Sequence, residues 1–175
     1  MTGPAPIRVL AVDDHPVVRQ GVAVLVGSQT DMTLVAEASN GREAIQQFRA
    51  HRPDVTLMDL QMPEMSGVDA LIAIRAESPE AKIIVLTTFA GDVQILRALK
   101  AGAHGYLLKN TFHKELIDAI RAVHAGRKAL SAEASYELAE HATTDALTQG
   151  EISVLRLIAA GRSPFVSQCS SLSSP

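Results

Sequence analysis

Three aspartates, a threonine and a lysine stand at the ends of short apolar runs, where their chemistries could be combined. Asp13 and Asp14 follow residues 7–12, Asp59 follows 55–58, Thr87 closes 82–87 and Lys109 follows 105–108. Three carboxylates within a few ångströms of one another would either hold a proton or attract a hard cation with oxygen ligands. Magnesium suits such a place. It keeps several waters and is commonly held by one or two carboxylates together with a phosphate. Asp59 then suits the nucleophile, because a carboxylate can form an acyl phosphate. Thr87 and Lys109 would offer a hydroxyl and a cation to phosphoryl oxygens, with Mg²⁺ taking the remaining charge.

The elements that must bring these groups together are legible from the pattern around them. Residues 7–12, 33–38, 55–58, 82–87 and 105–108 are rich in β-branched residues and do not alternate with polar ones, which predicts strands buried on both faces. Helical spacing fills the intervals. Pro16 suits the first turn of one helix, while Asn40 with Glu43 and Ser66 with Asp69 read as capping boxes for two more. Gly91 precedes a fourth helix carrying Val93, Leu96 and Leu99, and Thr111 can cap a fifth bearing Leu116, Ile117, Ile120 and Val123. Strand and helix alternate five times, which predicts a doubly wound α/β domain, a parallel sheet with helices on both faces. In the flavodoxin-like strand order 2-1-3-4-5 the ends of strands one, three, four and five meet in one cleft, at the carboxyl edge where ligands collect in such sheets.

Composition bounds what else the chain can be. Its 175 residues allow one full core and an appendage, and with no Trp, two Tyr and four Phe the core must be aliphatic. A formal charge of −3 gives the whole chain no attraction to phosphate backbones or anionic lipid. The single Cys169 cannot form an internal disulfide, and no apolar run approaches the roughly 18 residues that span a bilayer, so no membrane partner and a cytoplasmic location are expected. The first domain is expected over residues 1–126. A helical linker follows over 127–146, because residues 131–144 are mostly Ala, Glu, Leu and His without Gly or Pro. Thr148 and Glu151 form another capping box ahead of an apolar helix in the last segment, 147–175, whose Ser-rich end cannot support a packed core.

Each feature alone has an ordinary explanation. An Asp-Asp pair is more often a helix cap or solvated turn than a metal site, and Asp59 could cap the loop after it. His15 has no second His or Cys at ligand spacing and reads as the start of the first helix. Tyr106 would pass for any core or surface aromatic. The argument rests instead on four strand ends carrying complementary groups at once.

The stretches VDDHP, LMDLQMPEMSG, IIVLTTF and AGAHGYLLKN resemble the receiver domain of bacterial two-component response regulators, in the NarL/FixJ branch that carries a LuxR-type helix-turn-helix. The resemblance covers residues 7–126 and implies a phosphoacceptor regulatory domain, not an enzyme beyond slow self-phosphorylation and self-dephosphorylation. It implies that Asp59 takes phosphate from a sensor histidine kinase. It also implies that Asp14, Asp59 and the backbone carbonyl of Gln61 hold Mg²⁺, with Asp13 assisting through water. Thr87 and Tyr106 would form the switch: Thr87 turns to the phosphoryl group and Tyr106 swings inward. That alters the face of helix four, strand five and helix five and promotes a homodimer that controls transcription. Asn110 stands where many receivers have proline after the lysine, as in the LuxR-type branch.

LTQGEISVLRLIAAGRS likewise resembles the first helix of a LuxR-type helix-turn-helix, but PFVSQCSSLSSP stands where the recognition helix should follow. Arg156 and Arg162 are too few for a phosphate footprint. The expectation is therefore a truncated output domain. Promoter DNA is the partner of a full-length form, and DNA binding by this chain is doubtful. The alternative function is a stand-alone receiver acting as a phosphate relay or protein-interaction module. A haloacid-dehalogenase-like phosphatase would need a second acid two residues beyond the nucleophile, where Gln61 stands.

Overall fold

The computed structural model describes residues 3–88, 93–110, 113–132, 135, 136 and 139. Strands β1 (Ile7–Val12), β2 (Met32–Ala38), β3 (Val55–Asp59), β4 (Ile83–Thr87) and β5 (Gly105–Leu108) alternate with helices α1 (Pro16–Gly27), α2 (Gly41–His51), α3 (Gly67–Glu77), α4 (Val93–Lys100) and α5 (His113–His124). The sheet order is β2-β1-β3-β4-β5-β6, and the pairings from β2 through β5 are parallel. This is the expected doubly wound order with one addition. β6 is only Ala129–Leu130, anchored where the Ala129 N–H donates to the His104 carbonyl at 3.0 Å. Two residues carry no periodicity, so no strand was expected there.

The sheet is apolar on both faces because both are covered. α1 neighbours α5 on one side, while α3 lies between α2 and α4 on the other. Val22 and Val26 of α1 and Ile117, Ile120 and Val123 of α5 pack with Val9, Ala11, Leu57, Ile84 and Leu86. The intervening residues Leu10, Met58, Ile83 and Val85 are completely buried as well, and by strand alternation they point toward the α2–α4 layer. The buried stripe of α4 consists of Ile95 and Ala98, one position away from Leu96 and Leu99, which are only half-buried.

Local chemistry sets the helix starts. Pro16 occupies the first position of α1, directly after His15. At α2 the Asn40 Oδ1 accepts the Glu43 N–H at 2.9 Å. The Glu43 carboxylate reaches back to the Ser39 N–H (2.7 Å) and hydroxyl (2.8 Å), closing the box one residue early. At α3 the Ser66 Oγ accepts the Asp69 N–H at 3.2 Å and donates to the Asp69 carboxylate at 2.8 Å. The expected signals at Gly91, Thr111 and Thr148 lie outside the described residues, as does the segment resembling a helix-turn-helix. By its internal contacts the chain divides into Met1–Ala129 and Leu130–Pro175. In the second unit the Ser135 N–H and hydroxyl donate to the Ser131 carbonyl at 2.9 and 2.8 Å.

One fold residue predicts a pH response. Burial, and then the positive charges of Arg75, Lys128 and Lys82, hold the His104 imidazole below its ordinary value of 6.5. A depressed histidine is neutral in the fold and takes a proton more readily once unfolded. Its contribution is therefore intact above the unfolded value and lost as pH falls below it. Urea midpoints measured from about pH 8 down to about pH 5 should fall, and His104→Gln should flatten that slope. Equal slopes in both proteins would remove His104 as the cause.

Candidate functional site

The carboxyl edge of the sheet gathers the residues that the sequence singled out. Asp13 and Asp14 leave β1 and Asp59 ends β3, while Thr87 ends β4 and Lys109 follows β5. Asp13, Asp59 and Thr87 are buried, at 3%, 3% and 4% exposure. The ends of β4 and β5 are fixed to one another where the Lys109 N–H donates to the Thr87 carbonyl at 2.7 Å. Register puts Tyr106 beside Val85, and its side chain is completely buried. That is the inward placement which the family resemblance associates with the phosphorylated state.

Lys109 is the electrostatic centre of the cluster. Its Nζ lies 2.7 Å from Asp13 Oδ2 and 3.1 Å from Asp59 Oδ2. Both oxygens lie at ion-pair distance from the ammonium, yet neither receives a well-directed hydrogen bond, and the same holds for Asp14 Oδ1 beside His15. Burial pushes the Asp59 carboxyl up; the Lys109 charge opposes this and the Asp13 charge adds to it. For Lys109, burial works against the ammonium, but the close approach of the Asp13 carboxylate and the charge of Asp59 outweigh it and the net shift is upward. The two directions are compatible because one ammonium serves two carboxylates: the lysine has a surplus of partners and each acid has a deficit.

A deficit of positive charge among buried carboxylate oxygens is what a divalent cation would relieve. Asp13, Asp14, His15 and Asp59 each present one ligand-type atom, and all four atoms fall within 4.8 Å of one another. The donors are mostly hard oxygens, which fits magnesium. The Gln61 N–H donates to Asp59 Oδ1 at 3.3 Å, so the backbone of that residue borders the same carboxylate.

Two neighbours had not been expected. The His15 backbone N–H donates to Asp13 Oδ1 at 2.8 Å, and on this turn the His15 side chain, 63% exposed, lies over the aspartates with Nδ1 3.0 Å from Asp13 Oδ1 and 2.9 Å from Asp14 Oδ1. Spacing rules missed it, because they look for a second His or Cys and not for a ring folded back onto preceding aspartates. The Arg19 guanidinium donates to the Asp13 carbonyl and lies 3.8 Å from Glu37, holding the loop after β1 from the first turn of α1. Its place four residues after His15 was the only available signal.

No helix among the described residues is long and apolar enough to cross a membrane, and no cis peptide bond occurs among them. The family of response regulator receiver domains matches residues 9–121. The chain is 47% identical over 120 residues to an uncharacterized transcriptional regulatory protein, YxjL, of Bacillus subtilis, a stretch covering 69% of this chain and 55% of YxjL. It is 38% identical over 162 residues to the response regulator protein VraR of Staphylococcus aureus, covering 90% of this chain and 78% of VraR. A crystal structure of a LuxR-family two-component response regulator from Aurantimonas sp. SI85-9A1 superposes with a TM-score of 0.75 at 37% identity, over 79% of this chain and 99% of the other. The strand order, the acid-lysine cluster at its carboxyl edge and these matches agree, and the chain belongs to the response regulator receiver family, whose members are regulatory phosphoacceptors.

Proposed function

We propose that this chain is the phosphorylation-switched receiver of a cytoplasmic two-component response regulator, with Asp59 as the phosphoacceptor. The observation that carries the reading is the single ammonium of Lys109 placed between Asp13 and Asp59 at 2.7 and 3.1 Å. A carboxylate oxygen of Asp59 attacks the phosphorus of a phosphohistidine on a sensor kinase; the new O–P bond forms as the N–P bond breaks. Lys109 stays beside the Asp59 oxygens and meets the negative charge of the arriving phosphoryl group, and the Thr87 hydroxyl donates to another of its oxygens. Asp14, Asp59 and the Gln61 carbonyl would hold Mg²⁺, with Asp13 assisting through water. Bound there, the cation supplies charge neutralisation at the phosphoryl oxygens.

The readout follows from position. Thr87 and Lys109 close β4 and β5, so a phosphoryl group drawing on both acts on the face formed by α4, β5 and α5, where Tyr106 is buried. Homodimerisation and control of transcription through promoter DNA are the proposed outputs of a full-length form, in keeping with the similarity to YxjL, a transcriptional regulatory protein. Intact-mass measurement after incubation with acetyl phosphate and Mg²⁺ should show one added phosphoryl group. A mass unchanged in magnesium, under conditions that label a known receiver, would overturn the reading.

Lys109→Ala tests the role of the ammonium. It leaves Asp13 and Asp59 without their shared cation, so labelling should continue at a rate at least about tenfold lower, the scale of losing one charge-stabilising donor. The shift of phosphorylated protein toward dimer should be blunted. A dimerisation curve equal to that of the parent protein would count against this assignment.

A further inference from the structure

We infer that His15 is a direct imidazole ligand of the divalent cation at the Asp13–Asp14–Asp59 cluster, and that it shifts the preference of the site from magnesium toward later first-row ions such as Ni²⁺ and Co²⁺. This rests on the cation-binding reading above and adds a donor to it. The backbone that bears the ring is fixed: the His15 N–H donates to Asp13 Oδ1 at 2.8 Å, and Pro16 begins α1 immediately afterwards. Nδ1 is thereby set 3.0 Å from Asp13 Oδ1 and 2.9 Å from Asp14 Oδ1. Adjacent ligands of an octahedral ion with bonds of about 2.1 Å lie about 3.0 Å apart, so the 2.9 Å separation suits one cation touching both the His15 Nδ1 and the Asp14 Oδ1.

The other side of the cluster is already served. Lys109 takes Oδ2 of Asp13 and Oδ2 of Asp59, whereas His15 faces Oδ1 of Asp13. Ammonium and imidazole thus divide the oxygens of Asp13 between them, and the cation would enter on the imidazole side. On the imidazole side Asp14 Oδ1 receives no directed hydrogen bond, and the Asp13 and Asp59 side chains beside it are 4% exposed, so the cluster presents an undersatisfied oxygen where the ring arrives. The carboxylates of Asp14 and Asp59 with one imidazole make a mixed oxygen and nitrogen donor set. Oxygen donors alone suit magnesium, while an imidazole adds affinity selectively for cobalt, nickel and zinc.

Calorimetric titration of the whole chain with Mg²⁺ and separately with Ni²⁺ tests this, using Mg²⁺ competition to isolate the nickel bound at this cluster. His15→Ala and His15→Asn are the variants, the second keeping a hydrogen-bonding group near the aspartates without a ring nitrogen. Both should weaken the Mg²⁺-competed Ni²⁺ binding by about tenfold or more, with Mg²⁺ affinity changing less than about twofold. Co²⁺ should in addition shift the His15 imidazole protons far outside their usual NMR range. Equal weakening of both ions would make His15 a positioning residue and overturn the inference, as would unchanged nickel affinity. A parent protein that takes neither ion would instead bring down the cation-binding reading on which the inference rests.

Discussion

Asp59→Asn abolishes labelling by acetyl phosphate while leaving the fold at least as stable as the parent in metal-free buffer. Both halves of this expectation come from the same geometry. Asp13 is a poor alternative nucleophile, since its Oδ1 accepts the His15 N–H at 2.8 Å and its Oδ2 lies 2.7 Å from Lys109. Asp59 has looser partners, the Gln61 N–H at 3.3 Å and Lys109 at 3.1 Å. Burial also pushes its carboxyl up, which makes its carboxylate a more basic nucleophile than an ordinary aspartate. Removing that charge relieves repulsion from Asp13 and leaves Lys109 paired with one acid instead of two. An asparagine side chain keeps the volume. Loss of labelling in a protein that unfolds no earlier than the parent therefore reports chemistry and not damage. Labelling at the parent level, mapped by peptide mass to any residue, would remove Asp59 from its role. Magnesium affinity should fall as well, because one of the three carboxylates is gone.

The parts of this arrangement that were legible in the sequence are those governed by burial. Strands β1, β3 and β4 are covered on both faces, so their apolar runs are continuous, and the expected 7–12, 55–58 and 82–87 differ from the observed strands by at most one residue at an end. Once the strand ends were located, topology alone placed Asp13, Asp59, Thr87 and Lys109 along one edge. The residues that escaped depend on backbone geometry or fine packing. The His15 ring reaches the aspartates through a turn closed by its own N–H, which leaves no mark on apolar spacing. The fourth helix was legible as a helix, but which of its residues are buried, Ile95 and Ala98, was not. In a short helix of Val93–Lys100 a one-residue rotation is within the freedom of the pattern. The burial of Tyr106 could not be read at all, since an aromatic residue at that place in the strand suits an inward and an outward placement equally.

Gly67→Ala is expected to cost about 3 kcal/mol or more, at the top of the usual overpacking range, although alanine is otherwise the better helix residue. The reason lies directly behind Asp59. Gly67 is the first residue of α3, and its N–H donates to the Leu60 carbonyl at 3.0 Å, drawing the helix start against the end of β3. A Cβ there would stand 1.8 Å from the Asp59 carbonyl oxygen, 2.8 Å from the Asp59 carbonyl carbon and 2.9 Å from the Leu60 Cα. All three are backbone atoms, so no side chain can turn aside, and either α3 or the β3 terminus must move. Movement of β3 carries the Asp59 carboxylate away from Lys109. The surviving folded protein should therefore label more slowly than the parent at equal folded fraction. Gly21→Ala is the matched control: that position is also helical, has nothing within 4 Å of an added Cβ, and should gain about 0.5–1 kcal/mol from helix propensity alone. Opposite signs for the two substitutions, measured by urea unfolding, would attribute the loss at position 67 to contact with the strand behind Asp59. A Gly67→Ala protein as stable as the parent and as quick to accept phosphate would show that this close approach does not hold the site together.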